Sequence, residues 1–388
     1  MKVFHRLERE IPLSPEELQL LASVQKLARE KIAPRSKQHD RDSSFPWDNV
    51  HDMNALGLNA MMFPEDCGGS ALSYTAYLAC VREISKACAS TGIIWATVSH
   101  GMKPVVDFGT PEQKRRLLPR IAAGGLASLA ITEASAGSDA TGMTTTFTPE
   151  GGSIRIDGRK LFITSGDAAD LILLFGKWSE LGNGKEAISV AVLEKETPGF
   201  QVLGLEQKMG HRASSTAALA FDGCRIPRDN LLGAPGQGLK ILLASLNKSR
   251  ASIAAHALGI ARAAFEDMVD YINERRQSGK RIVEFQGIQF MLAELATDLA
   301  FCESWLWRLG RMIDDGDTDF GVDVSMLKMR ASDLAMRIST EAVQMHGGYG
   351  YCQDFRVERL MRDAKITQIW EGTNQVHRQL IGRSFLKK

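Results

Sequence analysis

The periodicity of the apolar residues changes twice along this chain, and no other feature of the sequence limits its fold as strongly. Up to about residue 125 they recur every three or four positions, as in Leu20, Leu21, Val24 and Leu27, which is typical of amphipathic helices. From about 126 to 225 apolar and polar residues alternate, which predicts strands at 153–156, 161–164, 171–175, 188–193 and 218–221. After residue 236 the helical spacing returns and continues to the C-terminus.

Helix signals divide both helical regions further. The run Ser14-Pro15-Glu16-Glu17 has the form of a capping box with proline at the first helical position. The spacing predicts further helices at 47–55, 73–89 and 111–123, then at 237–275, 284–314, 321–346 and 355–384. Four long helices in succession suggest an antiparallel bundle. We therefore predict an α+β protein with an N-terminal α-helical domain (1–125), a middle β-barrel-like domain (126–235) and a C-terminal four-helix bundle (236–388).

Charge and cysteine content exclude several classes of protein. The 47 basic and 46 acidic residues nearly cancel, so the chain carries no overall attraction for nucleic acid or an anionic membrane. The N-terminus lacks the apolar core of a signal peptide, and no segment offers about twenty uncharged apolar residues. The six cysteines have neither CxxC nor metal-ligand spacing, which favours buried thiols in a reducing compartment. We expect a cytoplasmic protein without a membrane span.

One acidic residue near the C-terminus has unusual neighbours. Glu371 lies between Trp370 and Gly372, within the stretch 362–375 that reads RDAKITQIWEGTNQ. Burial raises the pKa of a carboxyl group, so a carboxylate flanked by apolar bulk resembles a tuned general base. A surface glutamate that ends a helix, with glycine as the C-cap, would produce the same pattern. Both interpretations stay open at this point.

Three other segments carry patterns that suit a ligand. Small and hydroxyl residues crowd the segment 131–140, which suits close approach to an anion or a ring but is also typical of a turn. Arg275 lies at the end of a predicted helix beside a glycine turn, where it could bind pyrophosphate or simply cap the helix. The glycines of 344–350, QMHGGYG, allow close ligand approach or an ordinary helix stop. His346 has no second ligand at metal spacing, so we predict no metal site.

The order of five motifs is more specific than any one of them. They are TEASAGSD (132–139), FITSG (162–166), KMGHRASSTA (208–217), QMHGGYG (344–350) and RDAKITQIWEGTNQ (362–375). Read together, they resemble the acyl-CoA dehydrogenase family, of the short- or medium-chain type with the base on the C-terminal helical domain. The resemblance covers essentially the whole chain.

The resemblance implies an FAD cofactor held between the β domain and the C-terminal bundle. Residues expected to contact the flavin in one subunit are Ile131, Thr132, Ser138, Phe162, Ile163, Thr164, Thr373 and Gln375. Residues expected to contact the pyrophosphate and adenine across a subunit boundary are Arg275, Gln286, Gln344, Gly347 and Gly348. The resemblance therefore also implies a homo-oligomer, typically a tetramer.

The implied reaction is α,β-dehydrogenation of an acyl-CoA thioester to the trans-2-enoyl-CoA. Glu371 corresponds to the base that removes the α-proton, and its backbone N–H to a donor for the developing enolate. Electrons would pass from the flavin to an electron-transfer flavoprotein. The positions implied to contact substrate are Ser138, Asn247, Arg250, Trp370 and Gly372.

Sequence departures narrow the expected substrate. One branch of the family carries its base directly before the arginine that matches Arg250, but Ser249 stands there and cannot take the proton. The stretch 92–96 lacks the arginine with which another branch holds a dicarboxylyl substrate. Trp370 is larger than the family's usual residue, and Trp95 and Met102 would close the far end of the acyl pocket. We expect a short, branched or compact acyl chain.

Two other functions remain open on the sequence. An acyl-CoA oxidase or flavin monooxygenase on the same scaffold would pass electrons to oxygen, although the presence of Glu371 favours dehydrogenation. A non-catalytic flavoprotein that binds nucleic acid is disfavoured by the near-zero net charge and the lack of a basic tail.

Overall fold

The computed structural model describes residues 2–386 of the chain, and its first region is helical. The helices are α1 (Lys2–Arg9), α2 (Pro15–Leu27), α3 (Ala33–Asp42), α4 (Trp47–Ala55), α5 (Tyr74–Ala87), α6 (Ala89–Phe108) and α7 (Pro111–Ala122), and a π-helical turn (Ala28–Ile32) joins α2 to α3. The predicted capping box is confirmed, because Ser14 Oγ accepts from Glu17 N at 3.2 Å and Glu17 Oε2 accepts from Ser14 N at 2.9 Å.

A seven-stranded sheet follows the helices. Its strands are β1 (Ala127–Ala130), β2 (Thr146–Glu150), β3 (Ser153–Thr164), β4 (Leu171–Trp178), β5 (Ile188–Glu194), β6 (Phe200–Leu205) and β7 (Thr216–Pro227). The order is β1-β4-β2-β3-β7-β6, and β5 pairs with β4. Strands β1 and β2 run parallel to β4, and the remaining pairs are antiparallel.

Helices return for the last region. They are α8 (Gly238–Glu274), α9 (Gln286–Asp314), α10 (Gly321–His346), α11 (Val357–Thr367) and α12 (Asn374–Ser384), and a short hairpin of β8 (Arg276–Gln277) and β9 (Lys280–Arg281) lies between α8 and α9. Helix α8 packs against both α5 and α10, so it connects the two helical regions. The predicted fold class of helical, β and helical domains is confirmed, while the residue limits of the domains stay a prediction.

The predicted helix 355–384 is wrong, because the chain leaves α11 at Thr367 and enters α12 only at Asn374. Glu371 and Gly372 adopt left-handed backbone angles, with φ of 54° and 94°. A right-handed helix cannot continue through two such residues. Thr373 then caps α12, its side chain accepting from Val376 N at 3.3 Å.

Other differences have equally local causes. Helix α6 is absent from the prediction because 15 of its 20 residues are buried, so its polar face is narrow and its amphipathic period is weak. The extended backbone of Cys88 separates it from α5. The two strands expected at 153–156 and 161–164 are one strand, β3, with two irregularities in its pairing to β7. Strands β1, β2 and β6 are also absent from the prediction.

Cysteine burial departs from the expectation at one position. All six cysteines are free thiols, and five are buried, but Cys352 is exposed. Among residues 2–386, no helix has both the length and the apolar character needed to cross a membrane.

The packing of α8 on α5 predicts a sensitive glycine. A Cβ at Gly259 would lie 2.5 Å from the Arg82 carbonyl oxygen and 2.9 Å from Ser85 Cβ. We expect Gly259→Ala to destabilise the protein by about 1–3 kcal/mol, because the two helices must separate. The matched control is Gly382→Ala in α12, where a Cβ would meet no atom within 4 Å and alanine should raise helix stability slightly. Thermal unfolding midpoints measure both, and equal midpoints would contradict the expectation.

Candidate active site

The loop between α11 and α12 is held by basic side chains from two other helices. Arg250 of α8 donates from Nε to the Glu371 carbonyl oxygen at 3.1 Å. Lys328 of α10 donates from Nζ to the Gly372 carbonyl oxygen at 2.7 Å. Two consecutive peptide carbonyls are therefore fixed from opposite helices, which stabilises the left-handed backbone of the loop.

Asn374 closes the base of the same loop. Its backbone N–H donates to the Gln368 carbonyl oxygen at 3.0 Å, and its side-chain amide donates to Ser332 Oγ at 2.9 Å and to Asp333 Oδ1 at 2.8 Å. Within residues 2–386 the backbone N–H of Glu371 makes no hydrogen bond. The loop is thus fixed while the Glu371 N–H remains available to a ligand.

The Glu371 carboxylate is largely enclosed. Its side chain is 15% exposed, and Ser249 donates from Oγ to Oε2 at 2.7 Å. The other oxygen, Oε1, lies 3.9 Å from His100 Nδ1 on α6. Glu371 is therefore not a surface residue that ends a helix, and its two carboxylate oxygens have different neighbours.

Burial disfavours protonation of the basic side chains around this carboxylate. It lowers the pKa of Lys328 to about 7, with nearby Glu371 opposing the shift. Burial also lowers the pKa of His377 to about 3, and the charges of Lys328 and Arg250 act in the same direction. The pKa of His100 is lowered by burial as well, against the opposing charge of Glu371. The histidines beside the loop are thus neutral at physiological pH.

Trp370 packs beneath the loop against two buried histidines. Its ring centroid lies 5.2 Å from that of His211 and 5.7 Å from that of His256, whose Nε2 atoms are 2.9 Å apart. Burial lowers the pKa of His256 to about 3. Among residues 2–386, Trp370 Nε1 is buried without a hydrogen-bond partner. The indole is therefore fixed by packing alone.

Two segments of the β domain meet at a bulge in β3. The pairing of β3 with β7 shifts between Lys160 and Ile163, and Phe162 there has a φ of 58° and a side chain 59% exposed. Leu161 N donates to the Thr132 carbonyl oxygen at 2.9 Å. The bulge thus brings the predicted flavin residues Ile131, Thr132, Phe162 and Thr164 close together, whereas the Ile163 side chain is buried in the sheet core.

An ion pair beside this bulge holds the segment 131–133. Lys160 Nζ donates to the Ile131 carbonyl oxygen at 2.7 Å and to Glu133 Oε1 at 2.8 Å. Glu133 in turn accepts from the backbone N–H groups of Thr144 and Thr145. Burial raises the pKa of Glu133, but the charge of Lys160 and hydrogen bonds from Lys160 and from the Thr144 and Thr145 hydroxyls outweigh it and lower the pKa to about 2. Ser138 lies further along the chain and is exposed.

A third group of predicted residues lines one cavity of about 520 Å³ at the C-terminal end of α10. The cavity wall contains Arg275, Gln344, Gly347 and Gly348, and the Arg275 guanidinium lies 5.6 Å from the centre of the Tyr349 ring. A Cβ at either glycine would meet no atom within 4 Å. Gln286, at the start of α9, is exposed and is not part of this wall.

Comparison with known proteins defines the class to which this chain belongs. Residues 14–125, 128–224 and 236–386 match the N-terminal, middle and C-terminal domains of acyl-CoA dehydrogenases. The chain belongs to the acyl-CoA dehydrogenase family, and it is an FAD-dependent oxidoreductase.

Individual relatives cover nearly the whole chain. An acyl-CoA dehydrogenase of Bacillus subtilis (strain 168) is 39% identical over 96% of this chain and 99% of its own length. The cyclohex-1-ene-1-carbonyl-CoA dehydrogenase of Geobacter metallireducens is 38% identical over 96% and 99%. The structure of butyryl-CoA dehydrogenase from Megasphaera elsdenii superposes with a TM-score of 0.94, with 36% identity over 97% of this chain and 100% of that one.

The geometry of this chain fits FAD. Phe162 has an exposed aromatic ring on left-handed backbone, and this ring offers an open surface on which a flat ring can stack. The cavity beside Arg275 combines a guanidinium with glycine backbone that nothing covers, and this pairing suits phosphate oxygens. Within residues 2–386 no cluster of three His, Cys, Asp or Glu could hold a metal ion.

The sequence did not reveal several residues of the site. The sequence shows only that Ser249 cannot act as the base, whereas in the structure it donates a hydrogen bond to Glu371. Lys328 and His377 carried no signal because each lies within an ordinary helical pattern, and His100 lies on α6, which the sequence did not predict. Only a lysine or histidine at an otherwise apolar helical position could have drawn attention to them, and that pattern is common in cores.

The buried amine of Lys328 predicts a distinctive pH dependence of stability. Folding lowers its pKa from the ordinary 10.5 to about 7, so between these values the unfolded chain binds more protons than the folded one. Its contribution to the free energy of unfolding therefore increases as the pH rises from 7 to 10. In Lys328→Met this contribution disappears. The thermal unfolding midpoint of the variant should therefore rise less between pH 7 and 10 than the midpoint of the wild-type protein does.

The control for this measurement is Lys240→Met, which removes an exposed lysine of α8. Its midpoints should follow those of wild type at every pH. If Lys328→Met also follows the wild-type pH profile in parallel, the amine is not desolvated as the structure indicates.

Proposed function

We propose that this protein dehydrogenates a short-chain, branched or compact acyl-CoA to the trans-2-enoyl-CoA, with Glu371 as the base. One observation carries the proposal. The Glu371 loop presents a largely enclosed carboxylate and an unbonded backbone N–H together, and removal of an α-proton from a thioester needs both a base and a donor for the enolate oxygen.

Each group at the loop then has a role in proton abstraction. Glu371 takes the α-proton, and its N–H donates to the thioester oxygen on which negative charge develops. Arg250 and Lys328 hold the carbonyls of Glu371 and Gly372, so the N–H and the carboxylate keep their relative orientation without reorganising during the reaction. Bound FAD supplies the acceptor for the β-hydride.

The preference for a compact acyl chain rests on Trp370. Packing against His211 and His256 fixes the indole, so it cannot easily move aside for a long chain. The relatives named for butyryl-CoA and cyclohex-1-ene-1-carbonyl-CoA support a short or compact substrate. Trp95 and Met102 are both buried in the core of the first region, which is compatible with a closed far end.

We assign Ser138, Asn247 and Arg250 to the CoA moiety, and Arg250 Nη1 donates to Asn247 Oδ1 at 3.2 Å.

We also propose that the active enzyme is a homo-oligomer, with a tetramer as the expected state. The wall of the cavity around Arg275 contains no residue of the bulge at Phe162 or of the Glu371 loop. This separation supports a flavin site to which two subunits contribute. Thr373 and Gln375 would contact the same flavin. On the basis of the family resemblance we propose an electron-transfer flavoprotein as the electron acceptor. We also propose a role in β-oxidation. The six free thiols support a cytoplasmic location.

The role of Glu371 can be tested with the isosteric variant Glu371→Gln. The amide cannot accept the α-proton, so we expect acyl-CoA to bind but the rate of anaerobic flavin bleaching to fall by at least ~10³-fold. Stopped-flow absorbance of the flavin band measures the rate, and a titration followed by ligand-induced spectral shifts checks binding. Asp333→Asn, which changes a carboxylate that contacts Asn374 rather than substrate, controls for loop disturbance. Bleaching of the glutamine variant at a near wild-type rate would disprove the assignment.

Substrate length can be tested with a series of straight and branched acyl-CoA esters. We expect the highest kcat/KM for chains of about four to six carbons, because each additional methylene that meets the fixed indole costs about tenfold. Trp370→Tyr should move the optimum towards longer chains by making room beside the base. An optimum at about twelve carbons or more in the wild-type enzyme would contradict the role given to Trp370, while oxygen-dependent peroxide formation equal to turnover would identify an oxidase instead.

A further inference from the structure

One buried histidine faces the proposed base without forming a hydrogen bond to it. His100 lies on α6 and is 8% exposed. Its Nδ1 is 3.9 Å from Glu371 Oε1, and its Nε2 is 2.6 Å from Ser252 Oγ. This imidazole is therefore fixed on one side and points its other nitrogen at the carboxylate.

The hydrogen bonds of Ser252 define which nitrogen carries the proton. Ser252 Oγ donates to the Ser249 carbonyl oxygen at 2.8 Å, and a hydroxyl has only one hydrogen to donate. We assign that hydrogen to the Ser249 carbonyl, so Ser252 accepts from His100 and Nε2 carries the N–H. In neutral His100 the Nδ1 atom is then a bare acceptor, and it faces Glu371 Oε1.

The two carboxylate oxygens are consequently not equivalent. Oε2 accepts the Ser249 hydroxyl at 2.7 Å, which leaves Oε1 as the oxygen free to take a proton. While Glu371 is ionised, Oε1 and Nδ1 are both acceptors and keep apart. Once Oε1 is protonated, its O–H can donate to Nδ1 after an approach of about 1 Å. A hydrogen bond made only by the neutral form of a carboxyl increases its basicity.

We propose that His100 is a positioning residue that accepts a hydrogen bond from protonated Glu371 and so favours transfer of the α-proton from substrate to Oε1. In this step the substrate C–H bond breaks, an O–H bond forms at Oε1, and the electron pair stays on the substrate carbon. The inference rests on the proposed function and adds a residue to its mechanism.

The surroundings of His100 keep it neutral, as this role requires. From α8 the nearest titratable ring is His256, whose pKa burial lowers to about 3. From α5 the neighbours are Tyr74 and Tyr77, and burial raises the pKa of both phenols. The loop contributes Glu371, the one group that raises the pKa of His100, and burial outweighs it.

Charged groups on the far side of His100 are already paired. His100 and Ser249 line a small cavity of about 10 Å³ with Lys103, Asp107 and Lys248, a volume that admits about one water molecule. Asp107 accepts from both lysines, so the three groups together carry one net positive charge, which disfavours protonation of the imidazole. No free carboxylate there competes with Glu371 for the imidazole.

The test compares three variants by the pH dependence of anaerobic flavin reduction. His100→Leu removes the acceptor. The acid limb of the pH–rate profile, where the rate falls as Glu371 becomes protonated, should therefore move to lower pH by about half to one unit. The rate on the plateau of the profile should fall about tenfold. His100→Asn places an amide oxygen near the position of Nδ1 and should keep the limb within about a quarter unit of wild type. Val105→Ala, a buried change elsewhere on α6, controls for packing and should leave the limb unmoved.

Ser252→Ala tests the same idea while His100 stays in place. Without its acceptor at Nε2, the ring can carry its proton on Nδ1 and donate to ionised Glu371, so the acid limb should again move to lower pH. An unmoved limb in either His100→Leu or Ser252→Ala overturns the proposal, because a purely structural role would reduce the rate without shifting the profile.

A second readout does not depend on turnover. Infrared difference spectra of the substrate-free holoenzyme, with Glu371→Gln as the blank, follow protonation of the Glu371 carboxyl directly. The pH at which half of this carboxyl is protonated should be lower in His100→Leu than in wild type and should return to the wild-type value in His100→Asn. Equal midpoints in wild type and both variants would overturn the inference. Failure of the wild-type enzyme to be reduced by any acyl-CoA would instead contradict the proposed function.

Discussion

The site depends on one strained stretch of backbone, the left-handed turn at Glu371. A non-glycine residue in this conformation costs about 1–3 kcal/mol, so something outside the loop must stabilise it. The charge-assisted hydrogen bond from Arg250 to the Glu371 carbonyl contributes about 1.5–3 kcal/mol, and the bond from Lys328 to the Gly372 carbonyl contributes about 0.5–1.5 kcal/mol. Together they offset the strain, and they do so through the backbone, which leaves the Glu371 side chain and N–H free for chemistry.

This arrangement separates two electrostatic tasks. Positive charge lies against the peptide carbonyls, where Arg250 stabilises the loop, while the ring that faces the carboxylate, His100, is neutral because burial lowers its pKa. A protonated histidine at that distance would hold the carboxylate in its ionised form and make it a poorer base. The same helix, α8, supplies both the charge and the neutral hydroxyl of Ser249, so position along one helix decides which kind of partner each atom of Glu371 meets.

The sequence predicted the succession of helical and β regions and pointed to Glu371, because apolar periodicity and the odd neighbours of one acid are local signals. It failed where the determining contact is distant. The predicted helix 355–384 ignored a break that exists because Arg250 and Lys328 hold it, and neither residue is near the break in sequence. Helix α6 went unrecognised because burial of 15 of its 20 residues weakens the amphipathic pattern. His100, which that helix carries, was therefore invisible as a neighbour of the base, although its Nδ1 lies 3.9 Å from the carboxylate.

Close helix packing explains how such distant residues meet with useful accuracy. Ser249, Ser252 and His256 recur at spacings of three and four on α8 and therefore share a face, and that face meets His100 of α6 and Ser85 of α5 through hydrogen bonds of 2.6 and 2.8 Å. One turn further along α8, Gly259 lets the backbones of α8 and α5 approach so closely that no Cβ would fit. The glycine fixes how far apart these helices lie, and that separation in turn fixes the hydroxyls and rings around the carboxylate. The chemistry proposed for Glu371 thus rests on a packing contact with no polar character of its own.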